Sequence, residues 1–429
     1  MDELKAVVQA KHYYQIIEGL LLFRQIFDSP AGRGFLSLLV GLINGDVNQC
    51  LRCYGDWFQA LAAQGETWRN HLLRQLAYAD NPFTRQAQSV DLSDLPARLV
   101  EATRQDLRQI QLICDLSSEH LADWVREVAQ LPHPPVAWDV DDTQPLPFQF
   151  RSEIWNQELP RLAQHYRQYG VGQFARYRAF TWQNSTLEGI AHPDPIRLDQ
   201  LTAYEYPRQQ LLQNTLALLQ GYPALNVLLY GSRGSGKSSL VKALLTEFHH
   251  QGLRLVEVAK SRLADLPEIV ELLRTVPQKF IIFVDDLSFE EDDDAFKALK
   301  VVLEGSVTAR PANVVVYATS NRRHLVREFF NERPHPRDQD EVQAWDTMQE
   351  KLSFSDRFGL TLTFEPADQP TYLQIVEHLA RQAEISLPAE DLKARALQWA
   401  TRHNGRSGRS ARQFVDYLTA ELKLKSQGA

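Results

Sequence analysis

This sequence is short of cysteine, of long apolar runs and of positive charge, and each shortage removes a class of protein. Three cysteines in 429 residues are too few, and uneven in number, for a disulfide framework, which points to a reducing compartment. The longest apolar run, Phe35–Ile43, is about half of the roughly 20 residues a membrane helix needs. The opening residues, Met1-Asp2-Glu3-Leu4-Lys5, carry both charge signs and do not resemble a signal peptide. The formal net charge of −8 gives no general pull towards nucleic acid or anionic membrane, although a local basic face is compatible with it. The expectation is a soluble, cytoplasmic protein with no membrane partner. At this length the chain has room for two or three domains with their own cores.

What is present is organised around Val227–Leu240, V-L-L-Y-G-S-R-G-S-G-K-S-S-L. A short apolar strand runs through a glycine-rich turn into a helical pattern, and Gly231, Gly236, Lys237 and Ser238 fit G-x-x-x-x-G-K-[ST]. Gly231, Gly234 and Gly236 reach the backbone angles that turn successive N–H groups of Ser232, Arg233, Ser235 and Ser239 towards a phosphate. The helix starting near Lys237 adds its open N–H groups and positive dipole end. Lys237 is placed to meet the β- and γ-phosphates of ATP, and the Ser238 hydroxyl is a candidate Mg2+ ligand.

Before this loop the chain reads as all-helical over residues 1–130, with turn residues at Ser29-Pro30 and Gly45-Asp46 between apolar patches. Cys50 and Cys53 form an isolated C-x-x-C; with no second pair, two small residues on one helix face is the better reading than zinc. By elimination, this region is expected to bind an unidentified protein partner or to form oligomers. Residues 131–150 are proline-rich and acidic, a linker whose Asp139, Asp141 and Asp142 are solvated charge rather than metal ligands. Residues 151–195 read as a helical, aromatic segment packing on the core. Its Tyr166, Tyr169, Tyr177 and Trp182 alternate with Arg167, Arg176 and Arg178, a mixture that stacks bases in some proteins but more often packs against protein.

From 196 to 366 strands and helices alternate, which implies a mostly parallel, five-stranded sheet with crossover helices. The last segment, 367–429, is helical. Ligands of such sheets bind at the carboxyl ends of the strands. Phe280–Val284 ends in Asp285-Asp286: Asp285 is the expected metal ligand and Asp286 the general base for an attacking water, against a helix N-cap as the plainer reading. Asn321 ends the next strand and can orient the same water, or merely form a turn. Arg357 precedes the final strand; it either reaches a neighbouring subunit's γ-phosphate or sits as a cation at a helix C-terminus. Arg409 and Arg412 belong to a basic run, Arg402–Arg412, that either folds over the nucleotide or presents a solvated or nucleic-acid-binding face.

The order of these elements resembles the AAA+ ATPase module. Phe280–Glu290, Tyr317–Leu325, Glu350–Leu360 and Ser407–Phe414 further resemble a bacterial family of unknown function, DUF815, from about Tyr169 to the C-terminus. The resemblance implies Walker A at Gly236, Lys237 and Ser238, Walker B at Asp285 and Asp286, and sensor 1 at Asn321. It also implies an arginine finger at Arg357, a sensor 2 arginine at Arg412, and Tyr204 near the adenine. A homo-oligomeric ring, ATP hydrolysis with Mg2+, and the remodelling or loading of a macromolecular partner are implied with them. Three departures stand out. Asp286 replaces the usual glutamate, Ala203 replaces a common glycine, and Ala259–Arg262 is not an aromatic pore loop. The first leaves open an ATP-gated binding module with little turnover; Arg322, Arg323 and the Arg402–Arg412 run leave open a DNA-loader-like ATPase.

Overall fold

The computed structural model describes residues 5–140, 145–287, 294–304, 311–321, 357–403 and 405–427. Asp141, Asp142, Arg322, Arg323 and the polar insert 331–340 therefore lie outside the described residues. The chain divides into two compact units, 1–176 and 177–429.

The first unit is helical. It contains α1 (Lys5–Glu18), α2 (Pro30–Asn44), α3 (Val47–Gln64), α4 (Trp68–Ala77) and α5 (Pro82–Ala87). It continues with α6 (Ala97–Cys114), α7 (Ser118–Ala129), α8 (Leu159–Tyr169) and α9 (Gly172–Arg176). Local chemistry sets the boundaries: Ser29, Asp46, Thr67 and Ser117 each cap a helix by accepting a backbone N–H, and Gly45 and Gly65 end α2 and α3 in the left-handed conformation. The core is aromatic, with Phe35 and Trp68 ring centres 4.6 Å apart and Trp57 and Trp68 at 6.0 Å. Cys50 and Cys53 are buried on one face of α3, and burial pushes the Cys50 thiol up to about 11, so it is protonated and inert at neutral pH.

The described residues of the proline-rich stretch, 131–140 and 145–150, hold no helix or strand, but they are tied to the helices. The Tyr54 hydroxyl donates to the Val136 carbonyl at 2.8 Å, and Trp138 Nε1 donates to the Glu66 carbonyl at 2.9 Å. The aromatic–arginine segment is likewise internally engaged: Tyr166 donates to the Leu76 carbonyl, Arg167 bonds Asp91, and the Arg176 guanidinium lies over the Tyr78 ring. These groups are committed to packing rather than held out for bases.

The second unit is α/β. Its strands are β1 (Ala179–Gln183), β2 (Thr186–Ile190), β3 (Val227–Gly231), β4 (Leu253–Glu257), β5 (Lys279–Val284), β6 (Val314–Ser320) and β7 (Leu360–Phe364). Among the described residues they form one sheet in the order β2-β1-β4-β5-β6-β3-β7, parallel except for β1–β2. The sheet thus has seven strands, not five, and begins at 179 rather than 196. The two added strands come from a segment read as helical. Phe180 and Trp182 are both buried, and Asn184-Ser185, both at positive φ, make the two-residue turn that suits a right-twisted hairpin. The other helices are α10 (Glu205–Leu219), α11 (Lys237–Phe248), α12 (Leu266–Arg274) and α13 (Asp294–Glu304). They are followed by α14 (Gln369–Gln382), α15 (Ala389–Arg402) and α16 (Gly408–Gln427), which pack on one another as a lid with its own core around Tyr372, Val376, Ala396 and Phe414.

Strands β5 and β6 read as continuous buried runs because the sheet is covered on both faces. This order sets the acidic strand β5 one strand away from β3, with β6 between them. The carboxyl ends of all three therefore open on the same side of the sheet.

Candidate nucleotide-binding site

Strand β3 delivers the chain into a tight loop, Ser232–Gly236, and α11 starts at Lys237. The loop is shaped by glycines in conformations other residues avoid. Gly231 has φ +140, and a Cβ there would lie 1.9 Å from the Phe364 carbonyl oxygen, so no side chain is tolerated. Gly234 has φ +75, and its missing Cβ lets Ser407 and Arg409, at the start of α16, approach to 3.0–3.2 Å of that position. The Arg409 N–H donates to the Gly234 carbonyl at 3.2 Å, so the lid rests directly on the loop.

Lys237 is 6% exposed. Its Nζ donates to the carbonyls of Gly231 and Ser232 at 3.0 and 2.8 Å and lies 3.4 Å from Ser235 Oγ. Burial pulls its pKa below the ordinary lysine value, opposed by the charges of Asp285 and Asp286. A cation held by neutral carbonyls and a hydroxyl in a partly desolvated site gains on meeting an anion.

The acidic pair lies opposite. Ser238 Oγ donates to Asp285 Oδ1 at 2.6 Å, and Thr319 Oγ1 donates to the same oxygen at 2.5 Å. Asn321 Nδ2 donates to Asp286 Oδ1 at 2.5 Å. Asp286 itself has φ +52, an uncommon conformation for a residue with a Cβ. The donors at Ser238 and Asp285 are all hard oxygens, the type that magnesium takes, and they fit that ion. Among the described residues there is no group of three or more His, Cys, Asp or Glu placed to hold a metal alone. A magnesium ion here would take its remaining ligands from phosphate and water.

These groups surround one cavity of about 940 Å³, large enough for a nucleotide. It is lined by Arg233, Gly234, Ser235, Gly236, Lys237, Ser238 and Ser239 from the loop and α11, by Asp285, Asp286 and Asn321 from the strand ends, and by Arg409 and Arg412 from α16. Four residues singled out in the sequence are not in the lining. Gly231 and Ser232 act from behind the loop, through the carbonyls that hold Lys237. The Tyr204 hydroxyl donates to the Glu365 carbonyl at 2.8 Å and its ring packs on Phe364, away from the cavity. Arg357 is half-buried just before β7.

The cavity's apolar wall comes instead from Ile196, Leu201, Ile375 and Leu379, with Gln200 and Thr202 beside them. Sequence reading missed all of these, because isolated aliphatics in a loop and on a helix carry no local signature. It also missed Thr319, which lies in β6 two residues before Asn321, the latter just past the strand's end. The basic run is split: Arg409 and Arg412 face the cavity, whereas Arg406 bonds Gln369.

The family model described as a protein of unknown function, DUF815, matches residues 175–422. The chain belongs to the DUF815 family. In this DUF815 protein the matched region is nearly the whole α/β unit with its lid. The comparison with curated proteins finds no match. Among solved structures the chain is similar to the RuvB Holliday junction branch migration motor of Thermotoga maritima, at 14% identity over 54% of this chain and 67% of that one, with a TM-score of 0.38. One variant of that motor matches at 15% identity over the same shares, with a TM-score of 0.38. Another matches at 14% over 54% and 68%, with a TM-score of 0.39. Likeness at this level says nothing about what the DUF815 protein acts on. No helix among the described residues is long and apolar enough to cross a membrane.

Proposed function

We propose that this protein is a magnesium-dependent ATPase that uses hydrolysis to remodel or load a macromolecular partner. The observation that supports it best is the convergence, on one cavity, of the phosphate loop, the acidic pair, Asn321 and the two lid arginines. In this reading the loop N–H groups and Lys237 hold the β- and γ-phosphates, Lys237 exchanging its carbonyl partners for phosphate oxygens. Ser238 and Asp285 would hold a magnesium ion, which when bound would supply charge neutralisation at the transferring phosphoryl group. Asp286 accepts a proton from the attacking water, which Asn321 helps to orient. Arg409 and Arg412 approach the phosphates from α16, so lid position and nucleotide state are linked. The apolar wall of Ile196, Leu201, Ile375 and Leu379 takes the base in place of Tyr204. Arg357 lies outside the cavity lining of its own chain, which supports a role on a neighbour's nucleotide in a ring of subunits. The helical unit is then the surface offered to the partner.

Lys237→Ala tests the assignment. We expect affinity for a fluorescent ATP analogue and phosphate release both to fall by at least about a hundredfold, as loss of a buried charge-assisted contact to phosphate implies. Binding and turnover like the unaltered protein would overturn it.

A second reading has its own observation. The carboxylate taken as general base is bonded to Asn321 and its backbone is strained, as expected of a site that binds ATP to set the lid and turns over little. Steady-state phosphate release well above one turnover per site per minute would eliminate it.

A further inference from the structure

The Walker-type reading leaves one buried group without a role: the hydroxyl of Thr319. Strand β6 is otherwise apolar until its end, and Thr319 is 2% exposed. A buried hydroxyl needs partners, and this one has three consecutive residues in its grip. Its Oγ1 donates to Asp285 Oδ1 at 2.5 Å and accepts the Asp286 N–H at 3.0 Å. Its backbone carbonyl accepts the Leu287 N–H at 2.7 Å.

Two consequences follow from these bonds. Ser238 and Thr319 together occupy both lone pairs of Asp285 Oδ1, which leaves Oδ2 to a cation or its water. The bond to the Asp286 N–H pins that residue where its φ is +52, a conformation that persists only when its surroundings over-determine it. An aspartate reaches one methylene less far than a glutamate, so backbone direction decides where the Asp286 carboxylate lies.

We propose that Thr319 is a positioning residue that orients Asp285 towards magnesium and fixes the backbone of Asp286, so that a short side chain reaches the attacking water. This rests on the ATPase reading above. The test uses the full chain with Thr319→Val, which keeps the shape and removes both side-chain bonds, and Thr319→Ser, which keeps the hydroxyl. Affinity for a fluorescent ATP analogue is measured with EDTA and across a magnesium titration, alongside kcat and KM for ATP. In Thr319→Val, affinity in EDTA stays within about twofold. The magnesium concentration for half-maximal tightening rises about tenfold, and kcat falls at least about tenfold with KM little changed, as loss of a bond to a charged group implies. Thr319→Ser restores both to within about threefold. If Thr319→Val does not fold, Thr319→Cys, with a weak thiol donor, takes its place and the same shifts are expected. Wild-type magnesium dependence and kcat in the folded Val or Cys variant would overturn the proposal while leaving the ATPase reading intact. No nucleotide binding by the wild-type chain would remove both.

Discussion

The two units of this chain each bury charge, and they do so to opposite ends. In the helical unit Glu66 is 3% exposed and meets Arg74 at 2.5 Å and His71 Nδ1 at 3.5 Å, while His71 Nε2 meets Ser29 Oγ at 2.8 Å. Each charge has its partner within the same group of helices. In the α/β unit Lys237 rests on backbone carbonyls and the acidic pair on hydroxyls and an amide, all bordering a cavity. The first set is closed and the second is poised to exchange partners. Backbone strain divides the same way. The helical unit has one described non-glycine residue at positive φ, Gln130, at an ordinary helix end. The α/β unit has six, among them Asn184 and Ser185 in the β1–β2 turn and Asp286 in the cavity lining. Only Asp286 of the six lines the cavity, and strain of that kind persists where the surrounding structure over-determines it.

The largest test of this contrast lies on the open side. If Arg357 completes a neighbour's site, Arg357→Ala should keep ATP affinity within about threefold and lose about a thousandfold or more in kcat, the usual scale for an arginine finger. Mixing it with Asp286→Asn should recover part of the activity, since each variant then supplies what the other lacks. Turnover unchanged in Arg357→Ala would place the residue outside the chemistry and leave the cavity complete within one chain.

On the closed side, Glu66→Gln should destabilise the protein by about 3 kcal/mol, because it strands the Arg74 charge in a desolvated site. ATP affinity should not move. Burial opposes ionisation of Glu66, but the contacts from His71 and Arg74 outweigh it and hold the carboxyl below its ordinary value of 4.5. A depressed carboxyl stabilises fully above that value and loses its contribution as pH falls below it. The gap in melting temperature between Glu66→Gln and wild type should therefore be full at pH 7 and shrink below pH 4.5. A gap that persists unchanged in acid would mean that shape rather than charge at Glu66 holds the helices.

The same contrast explains what was legible in the sequence. Glycines at 231, 234 and 236, a lysine and a hydroxyl at fixed spacing announce themselves because the phosphate loop is local: its conformation is set by its own residues. Asp285, Asp286 and Asn321 were legible as ends of apolar runs, since parallel strands deliver their carboxyl ends to one place. The apolar wall of the cavity was not, because Ile196, Leu201, Ile375 and Leu379 are ordinary aliphatics, two packed on the sheet-side core and two in the lid, that meet only in the folded chain. Nor was it legible that the Tyr204 ring packs on Phe364. The β1–β2 hairpin was hidden by aromatic residues that suit a buried helix as well as a strand, and by an Asn-Ser turn weaker in signal than Asn-Gly. The helical unit was legible as helices but silent as chemistry, since its charges serve one another.

The smallest effect concerns Ala203, which stands where related modules commonly carry glycine. Its φ of +69 costs about 1–2 kcal/mol for a residue with a Cβ, and glycine would relieve that. Glycine would also loosen the unfolded chain by about 0.4–1 kcal/mol, and it would remove a methyl group, 9% exposed in the lid core, worth about 0.8 kcal/mol. The gain and losses nearly cancel. Ala203→Gly should therefore shift the melting temperature by no more than about 2–4 °C in either direction, the scale of about 1 kcal/mol for a domain of this size. A gain well beyond that would show the strain to be stored without compensation. A loss well beyond it would show that the methyl group is a fixed part of the lid core, and that this segment moves with the lid rather than with the sheet.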